Sequence, residues 1–229
     1  VEALAALGAV DFLMWVVTGI STGLTQGFSI QLSQYYGAKD FENLRKSLAH
    51  SYRLTAFIAA GVLILSQSFA SLVLTGLHTP SNIIGMSLLY LRIIFCGIPA
   101  TAAYNMFASA LRAMGNSKTP LTAMIIASVL NVSLDILFVA GFGWGVAAIA
   151  TVIAQSFSAV YCFLILRRID IVHLTRADFM PASGMNARLM KLGIPVVFQN
   201  IIIGVGGLVV QYVINGYGFL FVAGFTATN

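Results

Sequence analysis

The chain has 229 residues, of which 59% are hydrophobic and only 8% charged, and its mean hydropathy is +0.93. That balance excludes a water-soluble domain and predicts an all-α, polytopic transmembrane bundle, because helices satisfy their own backbone groups in lipid. The net charge of +5, from 12 Lys and Arg against 7 Asp and Glu, would suggest nucleic acid in a soluble protein; here the basic residues sit in loops between apolar runs, so no nucleic-acid partner is expected.

The chain opens on Val1-Glu2-Ala3-Leu4 with no basic lead-in or signal sequence, and it reads as a piece of a longer protein. The first apolar run, 12–38, is uncharged, and Gly19, Gly23 and Gly27 recur at four-residue steps that let a neighbouring backbone approach closely. Thr18, Ser21, Thr25 and Ser29 form a second, polar face that either lines a wet cavity or hydrogen-bonds between helices. Runs at 54–77 and 84–111 follow, each near or above the ~20 residues that cross a bilayer. Within the second of these, Arg92 is expected to snorkel to the outer headgroups and Pro99 to kink the helix. Pro120 suits the start of the next helix.

Runs at 121–140 and 146–166 form a hairpin across the Gly-rich turn 141–145, and they hold the only acid inside an otherwise fully apolar span, Asp135. Ser128, Asn131 and Asp135 share one helical face, and Thr151, Gln155 and Ser158 share another on the second helix. Asp135 lies six residues before Gly141 and Thr151 six after Gly145, so both should sit about 9 Å from the turn and face each other at one depth. An ionisable group in a spanning helix costs from ~2.5 kcal/mol upward, so Asp135 is either a cavity group with a function or a structural acid bonded across the hairpin. Carboxylate, amide carbonyl and hydroxyl together form a hard oxygen set for a light cation such as Na+, and the carboxylate alone can carry a proton.

The polar stretch 167–191, with Pro181, Ser183 and Gly184, reads as a linker whose charges form a solvated face. In the run 192–217, Asn200, Gly204, Gly207 and Gln211 fall on one side, a small and polar face suited to packing or a cavity wall. Another apolar run begins at Phe219. Residues 1–11 and 219–229 share Ala at two of eleven aligned positions, a weak internal echo of two halves. Cys96 and Cys162 lie in apolar runs without metal-ligand spacing and read as packing residues. His50, His78 and His173 are in or beside loops, and with no zinc motif, paired aspartates or Ser-His arrangement, neither an enzyme nor a resident cofactor is expected.

Eleven of the twelve Lys and Arg fall in alternate loops, the exception being Arg92, and the positive-inside rule makes those loops cytoplasmic. His78 and Trp144 then face outward, in a plasma (inner) membrane that the chain crosses several times.

Three stretches resemble the multidrug and toxic compound extrusion (MATE) family. They are Gln34-Tyr-Tyr-Gly37-Ala38-Lys39-Asp40, Leu111-Arg112-Ala-Met-Gly115-Asn116-Ser-Lys118-Thr-Pro120, and Asn131-x-x-x-Asp135 followed by Gly145-Val-Ala-Ala-Ile-Ala-Thr151. The resemblance implies two six-helix lobes around a central cavity, exchanging amphiphilic organic compounds for Na+ or H+. It places 1–166 in the first lobe (second to sixth helices), 167–191 in the linker, and 192–229 at the start of the second lobe. It also implies that Asp135, Asn131 and Thr151 surround the coupling ion, and that Ser128, Gln155, Ser158, Gln199, Asn200 and Gln211 are cavity-lining candidates. Gln199 and Asn200 stand where some branches carry an acid, which points to the DinF-like branch. Partners implied are a small amphiphile and membrane lipid, the full-length protein being a monomer. A flippase for lipid-linked saccharides, from the same superfamily, and a non-transporting scaffold are the alternatives; the flippase should show more basic residues facing its cavity.

Overall fold

The computed structural model describes residues 2–79, 83–142 and 147–228, and among them all regular structure is helical. The order is α1 (Glu2–Gly37), α2 (Phe41–Gly76), α3 (Ile84–Cys96), α4 (Ile98–Ala113), α5 (Lys118–Phe142), α6 (Ala147–Leu166), α7 (Met185–Asn215) and α8 (Phe219–Thr228). Short 3-10 turns at Asp170–Val172 and Arg176–Phe179 punctuate the polar linker. Four described helices are long and apolar enough to cross a membrane, and α3 with α4, bent by 45°, makes a fifth span. Trp144, expected to face outward, lies outside the described residues.

Local chemistry sets the helix ends. Asp40 caps α2 by accepting from the Asn43 side chain at 2.7 Å and its backbone N–H at 3.1 Å, two bonds that hold its carboxyl below the usual carboxylate range. The bend between α3 and α4 falls at Gly97: Pro99, two residues on, has no N–H to offer the α3 ladder, so the helix restarts there. In the turn from Arg112 to Pro120, Gly115 takes φ +84, and the Asn116 side chain accepts from the Thr119 N–H. That turn chemistry is what the most specific stretch of the family resemblance encodes.

Helix α7 begins at Met185, seven residues before the apolar run, because Met185 and Leu189 of its first turns are buried in the core beside α2 and the linker. Pro195 sits inside it without ending it.

Helix α1 is the central stave. Its Leu24, Phe28 and Leu32 join Leu44, Leu48, Met106, Leu111 and Leu189 in a core toward the loops rich in Lys and Arg. Its Val10, Leu13 and Val17 join Leu74, Leu91, Phe95 and Ile98 in a second core toward the opposite end. The glycine ladder serves the antiparallel partner α7. Gly19 faces Asn200, Gly23 faces the Val197 backbone, and Gly27 faces the backbone of Leu192 and Gly193, while Gly204 of α7 takes Val16.

The topology has a direct test. In a protein with Cys96 and Cys162 replaced by Ala, a cysteine at exposed Thr75 should react with a membrane-impermeant thiol reagent in intact cells, and one at exposed Ser117 only after lysis. Reaction at position 117 in intact cells would invert the map.

Candidate functional site

Two hydrogen bonds set the register of the α5–α6 hairpin. The Ser158 hydroxyl donates to the Ala123 carbonyl at 3.5 Å, and the Asn131 amide donates to Thr151 Oγ1 at 3.4 Å. A cavity of about 120 Å³ opens between these rungs, lined by Tyr104, Met124, Ala127, Ser128, Asn131, Thr151, Ala154, Gln155 and Ser158. Five of the six polar positions named on the hairpin therefore meet at one place. Gln155 lines it as well, and its Oε1 is buried without a hydrogen-bond partner among the described residues.

Asp135 stands apart from that cavity, which corrects the equal-depth expectation. Thr151 is level with Asn131, and carrying the antiparallel register one turn further sets Asp135 opposite Ala147, at the first turn of α6. Counting from a turn gives depth only when both helices leave it together. Here the two cross-hairpin hydrogen bonds, not the turn, give the level of each residue. Asp135 is half-buried, and its Oδ1 is enclosed without a hydrogen-bond partner among the described residues. Tyr90 of α3 lies within electrostatic reach of both Asp135 and Asp11 of α1. Neither Tyr90 nor Asp11 was apparent from the sequence, because their proximity depends on how α1 and α3 pack across the hairpin.

A second polar cavity, about 260 Å³, runs between α1 and α7 and is lined by Trp15, Thr18, Gly19, Thr22, Gln26 and Asn200. Asn200 donates to the Gly19 carbonyl at 3.0 Å, and Asn105 of α4 donates to Thr22 Oγ1 at 3.1 Å. Thr22 and Gln26 were missed as lining residues, although the four-residue step from Thr18 marks them. The other two α7 candidates do not line a described cavity. Gln199 is exposed, turned off the α1-facing side by one residue's rotation from Asn200. Gln211 is buried and donates to Asn215 Oδ1 at 2.8 Å, and Asn215 in turn donates to the Leu77 carbonyl at 2.9 Å, so it serves a structural relay.

On the opposite side the linker is docked, not merely solvated. Buried His50 of α2 places Nδ1 2.7 Å from Asn186 Oδ1 and donates from Nε2 to the Met180 carbonyl at 3.1 Å, well inside a helix rather than beside a loop. Buried Asp178 lies 3.8 Å from Arg45 Nε, and Arg53 donates to the Phe179 carbonyl at 3.0 Å. Of the two cysteines, Cys162 is buried as expected, but Cys96 is exposed beside the Gln67 amide. Arg92 is exposed, as snorkelling requires.

The MatE family model matches residues 1–137. The probable multidrug resistance protein YpnP of Bacillus subtilis (strain 168) is 31% identical over all of this chain and 52% of its own length. The probable multidrug resistance protein YoeA of the same organism is 27% identical over the same shares. Among solved structures, an inward-facing multidrug resistance MATE family transporter of the MOP superfamily superposes with a TM-score of 0.92 at 23% identity, over 98% of this chain and 52% of that one. The chain spans about half the length of the relatives it matches.

Proposed function

The chain belongs to the MatE family, and from that premise we propose that it forms the first lobe and the start of the second lobe of a secondary antiporter that exports amphiphilic organic compounds in exchange for Na+ or H+. The observation that carries the reading is the polar hairpin. Two apolar helices hold Asn131, Thr151, Gln155 and Ser158 around one cavity, with an unpartnered carboxylate oxygen of Asp135 one turn away. Such a set has no packing purpose that Ala or Leu would not serve better.

Asp135 is the charge-bearing group. In an apolar span its carboxylate is tolerated when a cation or a proton neutralises it, and it is destabilising when empty. Asn131 and Thr151 hold each other in place and supply neutral oxygens to a light cation, and Gln155 Oε1 offers another. Placing this coupling centre in the first half fits the DinF-like reading. The cavity between α1 and α7, with Thr18, Thr22, Gln26 and Asn200 beside Trp15, is the stretch of central wall that offers an amphiphile both hydrogen bonds and a ring. Ion and substrate favour opposite arrangements of the two lobes, and antiport follows from that opposition. No Lys or Arg lines any of these described cavities, which counts against an anionic lipid-linked saccharide as cargo.

The test is transport by the full-length protein in vesicles, with Na+ and pH gradients imposed separately. Uphill substrate movement driven by one of them supports antiport and names the ion. Movement that ignores both gradients would refute it.

A further inference from the structure

Three consecutive residues fasten the linker to α2. Buried Asp178 lies 3.8 Å from Arg45 Nε, the Phe179 carbonyl accepts from Arg53 at 3.0 Å, and the Met180 carbonyl accepts from His50 Nε2 at 3.1 Å. A capping box between Thr175 and Asp178 shapes the 3-10 turn Arg176–Phe179 that leads into these contacts. Phe179 and Met180 are therefore held by their main chains. Their side chains are left outside, Phe179 37% and Met180 66% exposed. Fixing two large apolar side chains in water is unfavourable by about 25 cal/mol for each Å² of apolar surface, so such a pair marks a surface with a partner.

The place where they are held identifies that partner. Arg53 is exposed, and Phe57, Ala60 and Ile64 follow it at helical spacing as an exposed apolar stripe. This stripe belongs to a helix long and apolar enough to cross a membrane, and Arg53 is the last charged residue in it. The guanidinium thus stands where the lipid-facing surface of α2 begins, and Phe179 hangs from it. In a 3-10 turn side chains three apart eclipse, so Arg176 stands on the same side as Phe179, and it too is exposed. A cation beside a ring and a thioether suits the boundary of a bilayer, where apolar parts enter the acyl region and charged tips meet phosphates.

We propose that the linker is anchored in the bilayer surface on the side of the loops rich in Lys and Arg, with Phe179 and Met180 seated between headgroups and acyl chains and Arg176 and Arg53 facing the phosphates of anionic lipid. A protein partner has less to grip: the patch is two side chains wide, and it continues a stripe that lipid covers. The anchor also has a structural reach. The residues that meet the bilayer are those tied to α2, and His50 joins them to Asn186 in the first turn of α7, so the lipid surface helps to set where α7 starts.

Spin labels test this in the full-length protein, reconstituted in liposomes of phosphatidylglycerol and phosphatidylcholine. The exposed Cys96 is replaced by Ala, the buried Cys162 is kept, and a nitroxide is attached to a cysteine at position 179, 180 or 183 in turn. Ser183 is exposed in the same linker and serves as the aqueous reference. Collision with oxygen, which concentrates in lipid, relative to collision with a water-soluble nickel chelate should be several-fold higher at 179 and 180 than at 183. A ratio at 179 and 180 equal to that at 183 would place them in water and overturn the proposal; weak collision with both reagents would mean that protein covers them, and would overturn it equally. In phosphatidylcholine alone the ratio at 179 should fall, and an unchanged ratio would refute the pairing with anionic lipid. The bonds at 179 and 180 are made by the main chain, so either cysteine leaves them in place and each position checks the other.

Discussion

The full-length Asp135→Asn protein should insert and fold normally yet lose ion-driven export altogether. Asn keeps the size and the hydrogen-bonding atoms of Asp, so the α5–α6 packing around Ala123, Ala127 and Ser158 has no reason to change. What disappears is the charge whose neutralisation, on the mechanism proposed above, distinguishes one lobe arrangement from the other, and without that difference an ion gradient has nothing to act on. Asn131→Ala and Thr151→Ala remove a neutral contact worth about 1 kcal/mol and should weaken ion dependence by several-fold without abolishing it. Initial export rates against imposed gradients measure both effects. A wild-type rate in Asp135→Asn would return this residue to a structural role and move coupling elsewhere.

Gly27→Leu should be the most damaging of the glycine substitutions. A Cβ at position 27 would run into the backbone of Gly193 and the Leu192 carbonyl, and backbone cannot swing aside as a side chain does. Overpacking of this kind costs about 3 kcal/mol, enough to lower a thermal midpoint by roughly 10 °C. Gly206→Ala is the matched control on α7, because nothing lies within 4 Å of its Cβ position. Thermal unfolding of the two detergent-solubilised variants should separate them clearly, and equal midpoints would mean that α1 and α7 are not in backbone contact.

Most of the helices were legible because lipid imposes one rule throughout, so a run of apolar residues and its flanking charges mark each span. The glycine steps at 19, 23 and 27 likewise announced close backbone approach, and the structure supplies the partner, α7. What the sequence did not reveal are relations between helices. The level of Thr151 against Asn131 depends on where the two helices bond across the hairpin, the disposition of Gln199 on a single rotation, and the burial of His50 and Asp178 on a linker that folds back. In each case a local pattern was correct about the residue's chemistry and silent about its neighbour.

The uneven fastening of α7 has a mechanical consequence. At its first turns Asn186 is held by His50, with Met180 and Asp178 of the preceding linker tied to α2, and Gly193 lies against Gly27. At the far end it is held by Asn215 on the Leu77 carbonyl and the edge of Tyr212 on His78. With 31 residues the helix is a lever about 46 Å long. Because α1 lies against it from Gly193 to Gly204, the two helices would have to tilt together: about 10° around the clamped foot would move Leu189 by about 1 Å but carry Asn215 by about 8 Å and part it from Leu77. In such a tilt the foot would be a fulcrum and the far pair a catch, multiplying a small rotation at one end of the pair into a wide displacement at the other.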